Sequence, residues 1–242
     1  METQVMDRVR EQAVEMWKQA GLLQEHVRIK ARVLSPEEAI GNPGEGFKLQ
    51  TGRERMMEAE FRGAKGQAFT DQFGDFEGNL EDIAAMAFSN NYRRALFIAT
   101  LNATLRSLGR CDRTIHCRDQ GPADCAQKLR EHLLTRLSPK ARITLVGLQP
   151  KFVAALSQDF NLRVLDLDPE NIGKTVAGVC IEGPEQERDA VSWSELLLVT
   201  GSTLANGSIG NFLNEGPVIV FGVTAAGAAS LMGWERFCAA SD

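Results

Sequence analysis

Two sets of residues have the types and spacing to do chemistry. The first is Cys111, His116, Cys117 and Cys125, three thiols and an imidazole in one short stretch. Soft thiolates and an imidazole suit a transition-metal ion such as zinc, iron, nickel or copper, and four such ligands would fill a tetrahedral shell. The stretch lacks the paired C-x2-C spacing of structural zinc modules, and neighbouring side chains in an extended segment point to opposite sides. Small buried thiols beside a surface histidine are therefore the competing reading. Cys180 lies in an apolar, strand-like stretch that suggests core, whereas Cys238 has the setting of an exposed thiol. The second set is rich in small hydroxyl and amide residues: Thr200, Gly201, Ser202, Thr203 and Asn206, then Gly222 to Gly227 around Thr224. Glycine lets a backbone approach a ligand closely, and Ser or Thr at a helix start offers hydroxyls and free N–H groups.

The elements that would hold these residues can be read from periodicity. Arg142–Gly147, Leu162–Leu167, Glu195–Thr200 and Pro217–Phe221 are short apolar runs, with a further candidate around Val176–Ile181. Helical patterns separate them, and this alternation predicts crossover units and a parallel sheet buried on both faces. Ligands bind such a sheet beyond the carboxyl ends of its strands, at the point where strand order reverses. Asp166, or Asp168, ends the second strand, where an acid can accept from ribose hydroxyls. That position raises S-adenosylmethionine or another nucleotide as a possible ligand, with a plain turn at Asp168-Pro169 as the alternative. No G-x-G-x-x-G, Walker A loop or G-x-S-x-G elbow is present.

The front of the chain reads as α+β. Val5, Val9, Ala13, Met16, Trp17 and Ala20 mark an amphipathic helix ending at Gly21, and 27–33 alternates as a strand. Ser35 opens a helical turn, Pro43, Gly44 and Gly46 make a loop, and 57–70 reads as an antiparallel pair. Asn79 and Asn90 or Asn91 are placed to cap two helices, the second ended by Gly109, and Pro122 opens a third. Ser138-Pro139 is the candidate boundary.

Composition narrows the function classes. Hydrophobic residues make up 43% of the 242 residues, and the net charge is −5. Basic and acidic residues balance at 20 and 20 over 1–137 but stand at 7 and 12 over 138–242. An acidic rear half argues against nucleic acid, which needs clustered Lys and Arg. No apolar run reaches the roughly 20 residues of a membrane span, and Met1–Gln12 lacks a signal-peptide core. A cytoplasmic location with reduced thiols is expected.

The run from Val199 through Thr200-Gly201-Ser202-Thr203-Leu204-Ala205-Asn206-Gly207 to Ile209, with Val218 to Ala229 after it, resembles the C-terminal domain of a heavy-metal-chelation family. Asn91 to Leu96 with Asn102-Ala103 resembles that family's central helix, and Gly66 to Thr70 its N-terminal strand. The resemblance implies an enolase-N-terminal-like α+β domain over 1–137 packed on a Rossmann-like domain over 138–242. It also implies a small-ligand or heavy-metal site between them. Thr200, Gly201, Ser202, Asn206 and Thr224 would line that cleft, with Asn102 and Arg94 approaching from the front domain. The carboxylate ligands of true enolases are not recognisable, so enolase chemistry is not carried over. An enzyme using S-adenosylmethionine or a nucleotide is the alternative function, and a homodimer the default assembly.

Overall fold

The computed structural model describes residues 2–24, 29–41 and 55–242. The front part begins with helix α1 (Glu2–Gln19), strand β1 (Ile29–Leu34) and the short α2 (Pro36–Ile40), whose Ser35 and Glu38 form a reciprocal capping box. Strands β2 (Arg55–Phe61) and β3 (Ala64–Thr70) form the expected antiparallel pair. Arg62 and Gly63 join them with φ of 52° and 80°, a left-handed two-residue turn that suits the strand twist. A short β4 (Phe76–Gly78), not foreseen, pairs with β1, so the sheet order is β3-β2-β1-β4. The predicted start of β1 at 27–28 and the loop through Pro43, Gly44 and Gly46 lie outside the described residues.

Asn79 caps α3 (Leu80–Ala85) and Asn90 caps α4 (Asn91–Ser107), each accepting from the backbone N–H three residues on. Every residue of α4 from Ala95 to Leu105 is buried. A helix apolar on all sides must be covered on all sides. Met57, Ala59, Phe61 and Ala68 of the first sheet belong to the core around it, as do Leu197, Val199 and Val220 of the second. Trp17 of α1 donates from Nε1 to the Thr104 hydroxyl at 3.0 Å, which satisfies the one polar atom of that large buried ring.

After α5 (Gly121–Leu134) comes the second sheet, in the order β11-β10-β9-β5-β6-β8-β7. Its strands are β5 (Arg142–Val146), β6 (Asn161–Leu165), β7 (Thr175–Val176), β8 (Val179–Glu182), β9 (Leu196–Thr200), β10 (Val218–Phe221) and β11 (Arg236–Phe237). All neighbours are parallel except β7 and β8, a tight hairpin turned at Ala177 and Gly178. The expected single strand at 176–181 is therefore two, and β11 was not foreseen. Crossovers are made by α6 (Pro150–Leu156), α7 (Glu187–Trp193), α8 (Ser202–Asn206) and α9 (Ala226–Met232). Alternation along β9 divides the sheet's two faces. Leu197 and Val199 meet the α4 side, whereas Leu196 and Leu198 join a second core with Leu129 and Leu133 of α5 and Val153 of α6.

This division has a direct consequence. A fragment of residues 138–242 loses α4 and α1 from one face of its sheet and α5 from the other. Each uncovered Leu or Val forfeits about 1.5–3 kcal/mol of burial. The fragment is expected to show no cooperative thermal transition and to bind a hydrophobic dye, whereas a sharp melt would show that the rear part folds alone. Among the described residues, no helix is long and apolar enough to cross a membrane.

Candidate functional site

The chain runs from β5 outward to β6 and β8, then returns to the other side of β5 for β9, β10 and β11. The reversal lies between β5 and β9, and there the two strand ends part to leave a crevice. Two glycines let these ends come together. Gly147, at φ 89°, faces Thr200 so closely that an added Cβ would sit 2.6 Å from its Cγ2. Gly201 is pressed on the loop after β10, where an added Cβ would lie 2.6 Å from the Ala225 nitrogen.

The crevice holds a hollow of about 340 Å³. Its floor is the tips of β5, β6 and β9, including Gly147, Gln149, Asp166, Asp168, Thr200 and Ser202. The front part closes it with Phe69, Thr70, Asp71 and Asn91. A smaller hollow of about 90 Å³ lies on the other side of Thr200, Gly201 and Ser202. It is lined by Thr224, His116, Cys117, Cys125, Cys238 and several aromatic rings. Phe69, Leu148, Gln149, Thr200 and Ser202 face both hollows, so they partition one continuous cleft.

The residues singled out in the sequence fall into three groups. Thr200 and Ser202 line both hollows, Asn206 and Asp166 the larger, and Gly201 and Thr224 the smaller. Thr224 is 1% exposed, and its hydroxyl accepts from the Phe69 N–H at 3.0 Å, which binds β3 to the tip of β10. Asn206 turns its carbonyl onto Ser208, accepting from the backbone N–H at 2.9 Å and from the hydroxyl at 2.7 Å.

Arg94 and Asn102 do reach from the front part, but neither lines a hollow. Arg94 donates to the carbonyl oxygens of Ala205 at 2.8 Å and Phe88 at 2.9 Å, and to the Asn91 side chain. Asn102, fully buried in α4, donates to the carbonyls of Gln67 at 2.9 Å and Val223 at 3.0 Å, and accepts from the Gly227 N–H at 2.6 Å. Both side chains fix the second sheet's loops onto α4.

Asp166 also departs from the expected part. Its carboxylate accepts from the N–H of Leu148 at 2.7 Å and of Asp168 at 2.9 Å, and from Asn171 Nδ2 at 3.1 Å. It is 6% exposed and works as a brace for the turns after β5 and β6. Three donors thus take up most of its acceptor capacity.

The Cys/His set is divided. Cys111 makes its contact to the Asp112 carbonyl at 3.3 Å and lines neither hollow, whereas Cys238 is buried and joins the other three. Cys180, read as core, is exposed. Among the described residues no three His, Cys, Asp or Glu side chains come together in a way that could hold a metal ion. The thiols are desolvated. Burial, then the neighbouring Cys125 and Cys238, pushes the Cys117 thiol up to about 12, and burial also raises Cys111 and Cys125. Of the four residues read as one ligand set, His116, Cys117 and Cys125 share the smaller hollow and Cys111 lies apart from it.

Phe69, Asp71, Asn91, Glu187 and Cys238 are cleft residues not marked as such in the sequence. Only Asn91 stood beside a recognisable signal, the helix cap at Asn90.

A mostly parallel sheet whose reversal point opens onto an antiparallel α+β partner defines a Rossmann-like architecture. Residues 132–233 match the family DUF364, described as "Putative heavy-metal chelation", so the likeness seen in the sequence is shown over that part of the chain. The fold is similar to a protein of unknown function from this family in Pyrococcus horikoshii, at 13% identity and a TM-score of 0.53, covering 91% of this chain and 79% of the other. It is also similar to a DUF364 protein of unknown function from Desulfitobacterium hafniense, at 10% identity and a TM-score of 0.52, covering 74% of this chain and 72% of that one. No curated protein matches.

Proposed function

We propose that the protein binds a small molecule in the cleft between its two sheets, with Thr200, Ser202 and Asn206 among the contacting residues. One observation carries this reading: the reversal point of the parallel sheet opens into a hollow of about 340 Å³ walled by both parts of the chain. That volume lies in the range of small-ligand sites, roughly 300–1,000 Å³. The wall mixes apolar surface from Val146, Leu165 and Phe212 with hydroxyls and amides that can orient a ligand. The family's heavy-metal description is accommodated by a metal carried inside such a molecule, since the Cys/His residues do not assemble around a bare ion.

The test is native mass spectrometry of protein purified without dialysis, compared with Ser202→Phe. Ser202 is half-buried and faces both hollows, so a phenyl ring there fills the cleft without touching the main core. A small molecule retained by the wild type and missing from a folded Ser202→Phe variant is the expected result. Equal retention by both proteins, or none by the wild type, would overturn the reading.

A further inference from the structure

We infer that the cleft takes an amphiphilic ligand, with an uncharged alkyl group in the smaller hollow and a neutral hydrogen-bonding group beside Gln149, Thr200 and Ser202. This rests on the cleft being the binding site and goes further by fixing which end of the ligand enters where. The smaller hollow is walled by the rings of Phe69, Phe152, Phe221 and Phe237. Phe152 and Phe221 pack with centroids 5.1 Å apart, and Phe69 meets the His116 ring edge-on at 5.3 Å. Burial brings His116 down to about 4, so that ring is neutral at pH 7. The sulfurs of Cys117, Cys125 and Cys238 add soft, weakly polar surface. Lys151 is the one Lys, Arg, Asp or Glu in this wall among the described residues, and it is exposed.

Size sets the kind of group. A dry apolar cavity of about 150 Å³ accepts benzene. The smaller hollow, at about 90 Å³, suits something less bulky, an alkyl group of about four carbons.

The boundary between the two hollows is where polar side chains stand unused. Thr224 and Asn206 satisfy their hydrogen bonds within the chain. The Gln149 carboxamide is half-buried, faces both hollows and has no hydrogen-bond partner among the described residues. The Ser202 hydroxyl is in the same position, and the Thr200 hydroxyl has only a long contact from the Ser202 N–H at 3.4 Å. A carboxamide and two hydroxyls both donate and accept, which suits a neutral amide better than a full charge. An amide held there sends its alkyl group among the rings and leaves the larger hollow for the rest of the ligand.

NMR titration of the full chain carrying isotope-labelled histidine tests this, because His116 lines the smaller hollow and not the larger. The probes are acetamide, propionamide, isobutyramide and isovaleramide, with glycinamide as a near-isostere of propionamide that puts a charge at the tip. The His116 signals are expected to move with the alkyl amides, each added carbon tightening binding about fourfold, and to ignore glycinamide. Cys117→Leu, which fills the hollow, should flatten that series. Gln149→Leu should weaken every amide roughly fivefold and keep the steps. A flat series in the wild type, no shift at all, or glycinamide matching propionamide would overturn the inference. Unchanged steps in a folded Cys117→Leu variant, or unchanged affinities in Gln149→Leu, would overturn the placement of the two ends. The cleft reading outlives any of these results if native mass spectrometry finds a retained molecule missing from Ser202→Phe, and falls with the inference if none is retained.

Discussion

Asn102→Ala is expected to destabilise the fold by about 3–5 kcal/mol. The side chain serves three backbone groups from three separate segments: the carbonyl of Gln67 in β3, the carbonyl of Val223 after β10, and the N–H of Gly227 in α9. All of it lies out of water, so truncation leaves those groups without their partner, at a cost of about 1–3 kcal/mol for each one stranded. Asn102→Asp should be no better, because it keeps the acceptor for Gly227, loses both donors and buries a charge. Urea unfolding monitored by tryptophan fluorescence reads the loss as a drop in midpoint at constant slope. A loss below about 1 kcal/mol would show that the loops find other partners and that Asn102 does not hold the two sheets together.

The same residue shows what the sequence can reveal. An Asn in an apolar run announces buried hydrogen bonding, but its partners lie 35, 121 and 125 positions away, and no local pattern names them. Arg94 was similarly visible as a cation near a helix start, yet its role is set by where the carbonyls of Phe88 and Ala205 come to rest. Local features were legible. The caps at Asn79 and Asn90 act within three residues, and the apolar runs of β5, β9 and β10 are long enough to mark buried strands. Strands β4 and β11 were not, because runs of three and two residues carry no periodicity. For the cleft, Thr200, Ser202 and Asn206 could be found because parallel sheets present their strand tips at one end. Asp71 and Glu187 could not, since they arrive from the front sheet and from α7. The Cys/His stretch misled by proximity along the chain: Cys111 turns away, while Cys238 reaches the smaller hollow from β11's far end.

The smaller hollow gives the second large effect, a stability loss in mild acid. His116 is half-buried, packs edge-on against Phe69 with ring centroids 5.3 Å apart, and places Nδ1 2.6 Å from the Cys117 carbonyl. Desolvation drives its pKa from 6.5 down to about 4, and the bond to the Cys117 carbonyl opposes that only in part. The folded state therefore keeps a neutral ring, with Nδ1–H donating and Nε2 carrying the lone pair. The unfolded chain binds a proton at about pH 6.5 and the folded chain does not until about pH 4. Stability is thus complete above 6.5, falls as pH drops through that window, and falls no further on this account below 4. The full interval corresponds to about 3 kcal/mol, and the ring's partial exposure makes this an upper value. Urea unfolding of wild type and His116→Phe at pH 7.0, 5.5 and 4.5 isolates the contribution, because Glu235 and the other carboxylates titrate alike in both. The wild type should lose stability across the series more steeply than the variant by up to that amount. Parallel slopes would mean that the imidazole reaches water, and that the hollow lined by Cys117, Cys125 and Cys238 is open enough to solvate a charge.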